Sequence, residues 1–115
     1  DPKEKGERKK LNFGHTFGHA IESYYLQKGT PIFHGQAIAL GMLIESEMSD
    51  LTEIEKAEIT AFILSNFSLP HNPAKNQLIA FMQNDKKNKD GKINFSLLKG
   101  IGNCSIDNFF SPDEL

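Results

Sequence analysis

The chain has 115 residues, of which 38% are hydrophobic and 24% charged, and this composition is ordinary for one globular domain. Its formal net charge of -2 argues against a nucleic-acid partner, which would favour a basic face. No apolar run approaches the roughly 20 residues needed to span a membrane. A single cysteine excludes an internal disulfide and is typical of a reducing compartment, so we expect a cytoplasmic protein.

The first ten residues are mostly charged, and the chain begins at Asp1 rather than at a methionine. We therefore expect a loop that leads into a helix, in a chain cut from a longer protein. The first predicted helix runs from Phe13 to Gln27. Asn12 is the predicted N-terminal cap, because its side-chain oxygen can accept from the free backbone N–H groups. Gly29 is the predicted C-terminal cap.

Three further helices are predicted from apolar spacing and capping signals. The second begins near His34. The third spans residues 53–67 after a capping box formed by Thr52 and Glu55, and the short fourth spans residues 74–83. The predicted buried positions are Ala37, Leu40, Gly41, Ile44 and Met48 in the second helix, Ile54, Ala57, Ala61 and Leu64 in the third, and Leu78, Phe81 and Met82 in the fourth.

A small β-structure is predicted near the C-terminus. Asp90–Gly91 supplies turn chemistry within a charged loop, and apolar residues alternate with polar ones from Ile93 to Leu97, as in a strand. The last residues predict a short helix capped by Ser111. The expected fold class is mainly α, with one small β-hairpin.

One edge of the first helix carries groups suited to a metal and an anion. His15 and His19 are four residues apart and therefore project from one face. Imidazoles suit proton transfer or zinc, and a guanidinium suits phosphate or carboxylate. The other polar members of this edge, at helical spacing, are Asn12, Arg8 and Glu4.

His34 stands at the start of the second helix and is a plausible partner for His15 at a metal. Two imidazoles do not complete a zinc site, so a carboxylate or thiolate would still be required. Gly14 and Gly18 remove side chains that would crowd a neighbouring helix or ligand. The sequence alone therefore predicts a metal and anion site.

Each of these features also has an ordinary structural interpretation. Histidines at helical spacing are usually satisfied surface or core residues, and the basic residues around Arg8 usually form a solvated charge run. His71 lies in a proline-flanked turn and is expected to face solvent. Cys104 is expected to be a buried or half-buried thiol.

The segment from Asp1 to Glu22, which includes LNFGHTFGHAIE, resembles the signature of the 3-dehydroquinate synthases. The resemblance continues through HGQAIALGM from His34, DKK from Asp85 and INFSLLKGIG from Ile93. It implies that residues 1–115 form the helical, metal- and substrate-binding C-terminal domain of that fold. The N-terminal NAD-binding domain is then absent from this chain.

The resemblance also implies an activity for the parent enzyme. It would be a phosphorus-oxygen lyase of the shikimate pathway that converts 3-deoxy-D-arabino-heptulosonate 7-phosphate to 3-dehydroquinate and phosphate, towards chorismate and the aromatic amino acids. The implied cofactors are zinc (or cobalt) and a recycled NAD, and the implied parent is a homodimer. The family's third metal ligand, a glutamate, precedes the residues present here, so the fragment is expected to be inactive alone.

Roles follow from the resemblance residue by residue. Gln36 departs from the pattern, because the family usually has an acidic residue there. The implied metal ligands are His15 and His34; the implied catalytic residues are His19 and Glu4; the implied substrate-binding residues are Arg8, Asn12, His19 and Lys86, with Lys87 as the alternative lysine.

Three other functions remain open at this point. A different sugar-phosphate cyclase would share the fold and the metal site. A metal-dependent alcohol or glycerol dehydrogenase also offers histidine ligands, but it has no need of the phosphate-gripping pair Arg8 and Asn12. A stand-alone helical binding module that has lost catalysis has no physical reason to retain His15 and His34 together.

Overall fold

The computed structural model describes residues 12–84 and 88–115. Within them, four helices precede one antiparallel hairpin, which confirms the expected mainly α fold class. The helices are α1 (His15–Gln27), α2 (His34–Met48), α3 (Glu53–Asn66) and α4 (Lys75–Met82); the strands are β1 (Ile93–Leu98) and β2 (Cys104–Phe110); a 3₁₀ turn follows at Pro112–Glu114.

The core forms where α1 packs against α2 on one side and against α4 and β1 on the other. Phe17 of α1 and Phe95 of β1 are both essentially inaccessible, and their ring centroids lie 5.7 Å apart. The predicted strand alternation is confirmed, because Ile93, Phe95 and Leu97 are all buried. Burial on this scale is the main source of the domain's stability.

The N-terminus of α1 differs from the prediction. The helix begins at His15 rather than Phe13, and Gly14 is the N-cap residue, with a φ of +85° and no side-chain cap of its own. The prediction that Asn12 caps this helix is therefore wrong. A left-handed residue at Gly14 ends the helical path there. The free N–H groups bind a side chain from α2 instead.

The capping prediction for α3 is confirmed, whereas the prediction of its buried face is not. Thr52 and Glu55 form the expected capping box. Ile54 and Leu64, both predicted to be buried, are 73% and 58% exposed, and Ile63 is the buried residue of this helix. Apolar residues occur on several sides of α3, so their spacing did not identify the side that meets α2.

Smaller differences concern the other predicted core positions. Ala57 and Ala61 are exposed, and Met48 and Phe81 are half-buried rather than buried. Within the part of the chain that the structure describes, α3 packs chiefly against α2.

The turn predictions hold. Asp90 and Gly91 have φ values of +54° and +75°, and the flanking Lys89 and Lys92 exchange two backbone hydrogen bonds. Cys104 is half-buried. No helix among the described residues is long and apolar enough to cross a membrane.

Candidate functional site

Three histidines meet where the start of α1 lies beside the start of α2. The ring centroids of His15 and His19 are 5.2 Å apart, those of His15 and His34 are 6.0 Å apart, and those of His19 and His34 are 6.1 Å apart. His15 is half-buried, while His19 and His34 are exposed. The structure thus brings together all three histidines that the sequence analysis singled out on these helices.

In two of these rings, the Nδ1 atom lies within hydrogen-bond distance of an oxygen acceptor. His15 Nδ1 lies 3.3 Å from the carbonyl oxygen of Phe13, and His34 Nδ1 lies 3.2 Å and 3.3 Å from the carboxylate oxygens of Glu22. A carbonyl or an ionised carboxylate can only accept a hydrogen bond, so Nδ1 donates in both rings. This tautomer leaves the Nε2 lone pair available in each neutral ring, as metal-binding histidines require.

A close helix crossing brings the two histidine-bearing segments together. A Cβ atom on Gly41 of α2 would meet the carbonyl oxygen of Gly14, and it would lie 2.6 Å from the nitrogen of Gly18. Side chains at the crossing would therefore force α1 and α2 apart. The expectation that Gly14 and Gly18 make room for a neighbouring helix is confirmed.

A buried carboxylate joins α2 to the first turn of α1. Glu45 is inaccessible to solvent, and its Oε1 and Oε2 accept hydrogen bonds from the N–H groups of Gly14 and Phe17, both at 2.8 Å. Burial raises the pKa of Glu45 to about 8, although the backbone N–H groups of the α1 start oppose this shift. Glu45 thus supplies the helix cap that Asn12 does not.

His19 also borders a small cavity between α1 and the end of α4. The cavity has a volume of ≈ 180 Å³, and its walls include Thr16 and Ser23 of α1 as well as Phe81 and Asn84. The imidazole of His19 and the amide of Asn84 are polar groups on this surface.

The structure describes only some of the other predicted site residues. Asn12 is half-buried, and its carbonyl oxygen accepts from the N–H of His15 at 2.9 Å, so it lies directly before the first helical residue. The remaining predicted residues lie outside the described ranges; they are Glu4, Arg8, Lys86 and its alternative Lys87.

Two acidic residues of this region were missed by the sequence analysis as contributors. Glu45 falls four residues after Gly41 on the apolar stripe of α2, and a carboxylate on a buried stripe is a detectable signal of an internal partner. Glu22 lies three residues after His19, but nothing in the spacing connected it to His34 across the turn. The contact between Glu22 and His34 depends on how α1 and α2 cross.

The donor set of this cluster fits part of a metal site. In a tetrahedral site with Zn–N distances of about 2.1 Å, the centres of two imidazole rings lie roughly 5 Å apart. The ring centres of His15 and His19 are 5.2 Å apart, and those of His15 and His34 are 6.0 Å apart. Within residues 12–84 and 88–115, however, no three His, Cys, Asp or Glu side chains are arranged to hold a metal ion. The described residues therefore bring imidazoles near one another but do not by themselves complete a metal site.

Comparisons with known proteins agree with this geometry. Residues 1–88 match the family described as 3-dehydroquinate synthase C-terminal. The chain is 38% identical over 125 residues to a 3-dehydroquinate synthase of Parabacteroides distasonis, a match that includes 100% of this chain and 34% of that protein. It is 40% identical over 118 residues to the same-named protein of Syntrophotalea carbinolica, with 97% and 32% included.

The chain spans about a third of the length of these curated relatives. Halorhodospira halophila has a further protein of the same name, 37% identical over 121 residues, with 100% of this chain and 34% of that protein included. Both the family match and these identities concern the region that contains the three histidines. The chain belongs to the 3-dehydroquinate synthase family and corresponds to its C-terminal domain.

Proposed function

We propose that residues 1–115 are the metal- and substrate-binding domain of a 3-dehydroquinate synthase. The reaction would convert 3-deoxy-D-arabino-heptulosonate 7-phosphate to 3-dehydroquinate and phosphate in the shikimate pathway. The observation that carries the proposal is the pair His15 and His34, whose Nδ1 atoms are both held by oxygen acceptors while their rings lie 6.0 Å apart. Family membership supports the same assignment.

His15 and His34 would hold zinc (or cobalt) through their Nε2 atoms. Their hydrogen bonds to Phe13 and Glu22 fix the tautomer and limit the rotation of each ring. The metal, when bound, polarises the substrate hydroxyl that is oxidised. Further ligands would come from outside the described residues.

The phosphorylated substrate would be held by charged and amide groups around the same edge. Arg8 suits the phosphate, because a guanidinium donates two parallel hydrogen bonds to an oxyanion. Asn12, whose backbone carbonyl oxygen accepts from the N–H of His15, would donate a side-chain amide hydrogen. His19 would bind substrate and transfer a proton, with Glu4 as an acidic partner. These roles place anion binding next to the metal.

Lys86 is the proposed substrate-binding lysine. Asn84 borders the same cavity as His19. Lys87 is the alternative, and separate substitutions of the two lysines by methionine distinguish them by their effect on KM.

The proposal also includes the cofactor, the oligomeric state and the location of the parent protein. NAD would be bound mainly by the N-terminal domain of the parent protein and would be reduced and reoxidised within one turnover. The parent would be a homodimer, and we propose a cytoplasmic location on the basis of the single cysteine in these 115 residues. Nucleic acid and membranes have no role in this scheme.

The first test uses the full open reading frame that contains this segment, supplied with zinc, NAD and the heptulosonate phosphate. Released phosphate and nicotinamide absorbance are followed together. Phosphate release with no net reduced cofactor supports the proposal. Reduced cofactor that accumulates on a simple polyol, with no phosphate release, would assign the protein to the dehydrogenases and remove the roles given to Arg8 and Lys86.

The second test concerns the metal. His15→Ala and His34→Ala in the full-length protein should each remove tight zinc binding, measured by competition with a chelator, because each deletes one ligand. His71→Ala is the matched control, since His71 is an exposed histidine outside the cluster. Equal zinc affinity in all three variants would contradict the metal assignment.

A third expectation concerns the fragment itself. We expect the 115-residue chain alone to form no measurable 3-dehydroquinate, because the described residues supply two imidazole ligands and no third. Product formation by this chain, with zinc and NAD added, would overturn that expectation.

A further inference from the structure

Glu45 makes an unusual connection between distant parts of the chain. It lies in the third turn of α2, yet both of its oxygens accept from backbone N–H groups at the start of α1, which is 31 and 28 residues away in sequence. Helix starts leave such N–H groups without helical partners. A carboxyl group from a second helix satisfies two of them here, at 2.8 Å each.

The two anchored amides enclose His15. Gly14 precedes it by one residue and Phe17 follows it by two, so the backbone that carries the imidazole is held on both sides. A rigid backbone at this point sets the direction of the His15 side chain. The Nδ1 contact with Phe13 then fixes the remaining rotation of the ring.

Glu45 is itself firmly placed relative to the second proposed ligand. It belongs to the same helix as His34, so its bonds to α1 connect the two histidine-bearing segments through a single helix. Its carbonyl oxygen accepts from Ser49 Oγ at 2.8 Å, and Ser49 Oγ accepts from the N–H of Leu98 in β1 at 3.0 Å. The hairpin therefore supports the position of Glu45.

We propose that Glu45 is a positioning residue for the metal centre, which holds the His15 imidazole at a fixed distance from His34. The inference rests on the proposed function, because it assumes that these two rings bind one metal. Glu45 does not itself touch the metal or the substrate. It acts through the backbone of the first turn of α1 and through the α1–α2 crossing.

The test is Glu45→Gln in the full-length protein. The substitution keeps the shape of the side chain, but an amide nitrogen cannot accept, so one of the two N–H groups loses its partner. Removing the support of a metal ligand typically lowers metal affinity 10- to 100-fold, and we expect a loss of about 10-fold in zinc affinity. The Co²⁺-loaded variant should also show an altered visible spectrum, because the ligand geometry changes.

The matched control is Glu47→Gln, which changes an exposed glutamate of the same helix. A Glu45→Gln protein that unfolds at lower temperature yet keeps wild-type zinc affinity and Co²⁺ spectrum would overturn the proposal and leave a purely structural cap. His15→Ala, measured in parallel, distinguishes a failure of the positioning role from a failure of the proposed function. Unchanged zinc affinity in His15→Ala refutes the proposed function itself.

If Glu45→Gln does not fold, the wild-type protein still tests the inference. Coupling between two sites is reciprocal, so zinc binding should slow hydrogen exchange at the Gly14 and Phe17 amides that Glu45 binds. We expect at least a 10-fold slowing there, from the same coupling, and little change at amides within α3. Equal exchange rates with and without zinc would refute the positioning role.

Discussion

Two glutamates of this domain each accept hydrogen bonds from two backbone N–H groups and differ in their surroundings. Glu45 accepts from the N–H groups of Gly14 and Phe17. Glu55 accepts from the N–H groups of Thr52 and Ile101, at 3.0 Å and 3.2 Å. Both carboxyl groups therefore satisfy two backbone donors.

Their pKa values nevertheless move in opposite directions. Burial raises the pKa of Glu45 to about 8, whereas the hydrogen bonds from Thr52 and Ile101 lower the pKa of the solvent-exposed Glu55. Hydrogen bonds to backbone N–H groups favour the charged form in both cases. Desolvation outweighs them at Glu45, so access to water decides the sign.

The largest expected effect is a dependence of stability on pH that originates at Glu45. Its folded pKa of about 8 lies above the ordinary value of 4.5, so the folded state retains a proton that the unfolded state releases. The contribution of Glu45 to the free energy of unfolding should be fully present below pH 4.5 and be lost as pH rises towards 8, by an amount on the order of 4 kcal/mol.

Urea unfolding of wild-type and Glu45→Gln proteins between pH 5 and 8 measures this contribution. The difference between the two curves isolates Glu45 from other titrating groups. Parallel curves would show that the buried carboxyl group does not change its protonation on unfolding.

The second effect on stability is expected from widening the crossing of α1 and α2, which moves Glu45 away from α1 without changing Glu45 itself. In Gly41→Ala the new Cβ would lie 2.6 Å from the nitrogen of Gly18, so the helices must move apart. We expect a loss of about 3 kcal/mol in unfolding free energy together with weaker zinc binding. Gly35→Ala is the control, because its Cβ would meet nothing closer than 3.9 Å. Equal effects of the two substitutions would contradict the close crossing.

A third effect concerns a glutamate that acts on a side chain rather than on a helix end. Glu22→Gln keeps an oxygen that can accept from His34 Nδ1 but removes the charge and the second acceptor. We expect zinc affinity to fall by about 10-fold with little change in unfolding temperature. Glu58→Gln, an exposed change on α3, is the control. A loss of the same size there would remove the special role of Glu22.

The smallest effect is expected at the exposed cap. Thr52→Ala removes the oxygen that accepts from the N–H of Glu55 at 3.1 Å, and such changes cost about 1 kcal/mol. Zinc affinity should stay unchanged, because α3 carries none of the clustered histidines. A change in zinc affinity would show that α3 is coupled to the site.

The contrast between partners close in sequence and partners far apart explains which features the sequence could predict. The Thr52–Glu55 box, the Asp90–Gly91 turn and the strand from Ile93 were predictable, because each depends on residues within a few positions of one another. The histidine cluster was predicted from the spacing of His15 and His19 and from the place of His34 at the start of the second helix, and the resemblance pointed to the same residues.

The cap supplied by Glu45 was not predictable in this way, because its partners are 28 and 31 residues distant and are set by the helix crossing. Asn12 was the local alternative, and the left-handed Gly14 excluded it. The prediction of the buried face of α3 was wrong for a related reason. Ile54 and Leu64 have suitable spacing, but the packing partner of a helix is a property of the whole fold.

The contacts described for His15 and His34 have a consequence for how the family can vary. They come from Phe13, Glu22 and Glu45, so they lie within one helical hairpin, residues 13–48. The connection between its helices, residues 28–33, is largely exposed. The contacts that hold the two rings come from residues outside this connection, so we expect a change in its length to disturb the rings less than a change elsewhere in the helical hairpin.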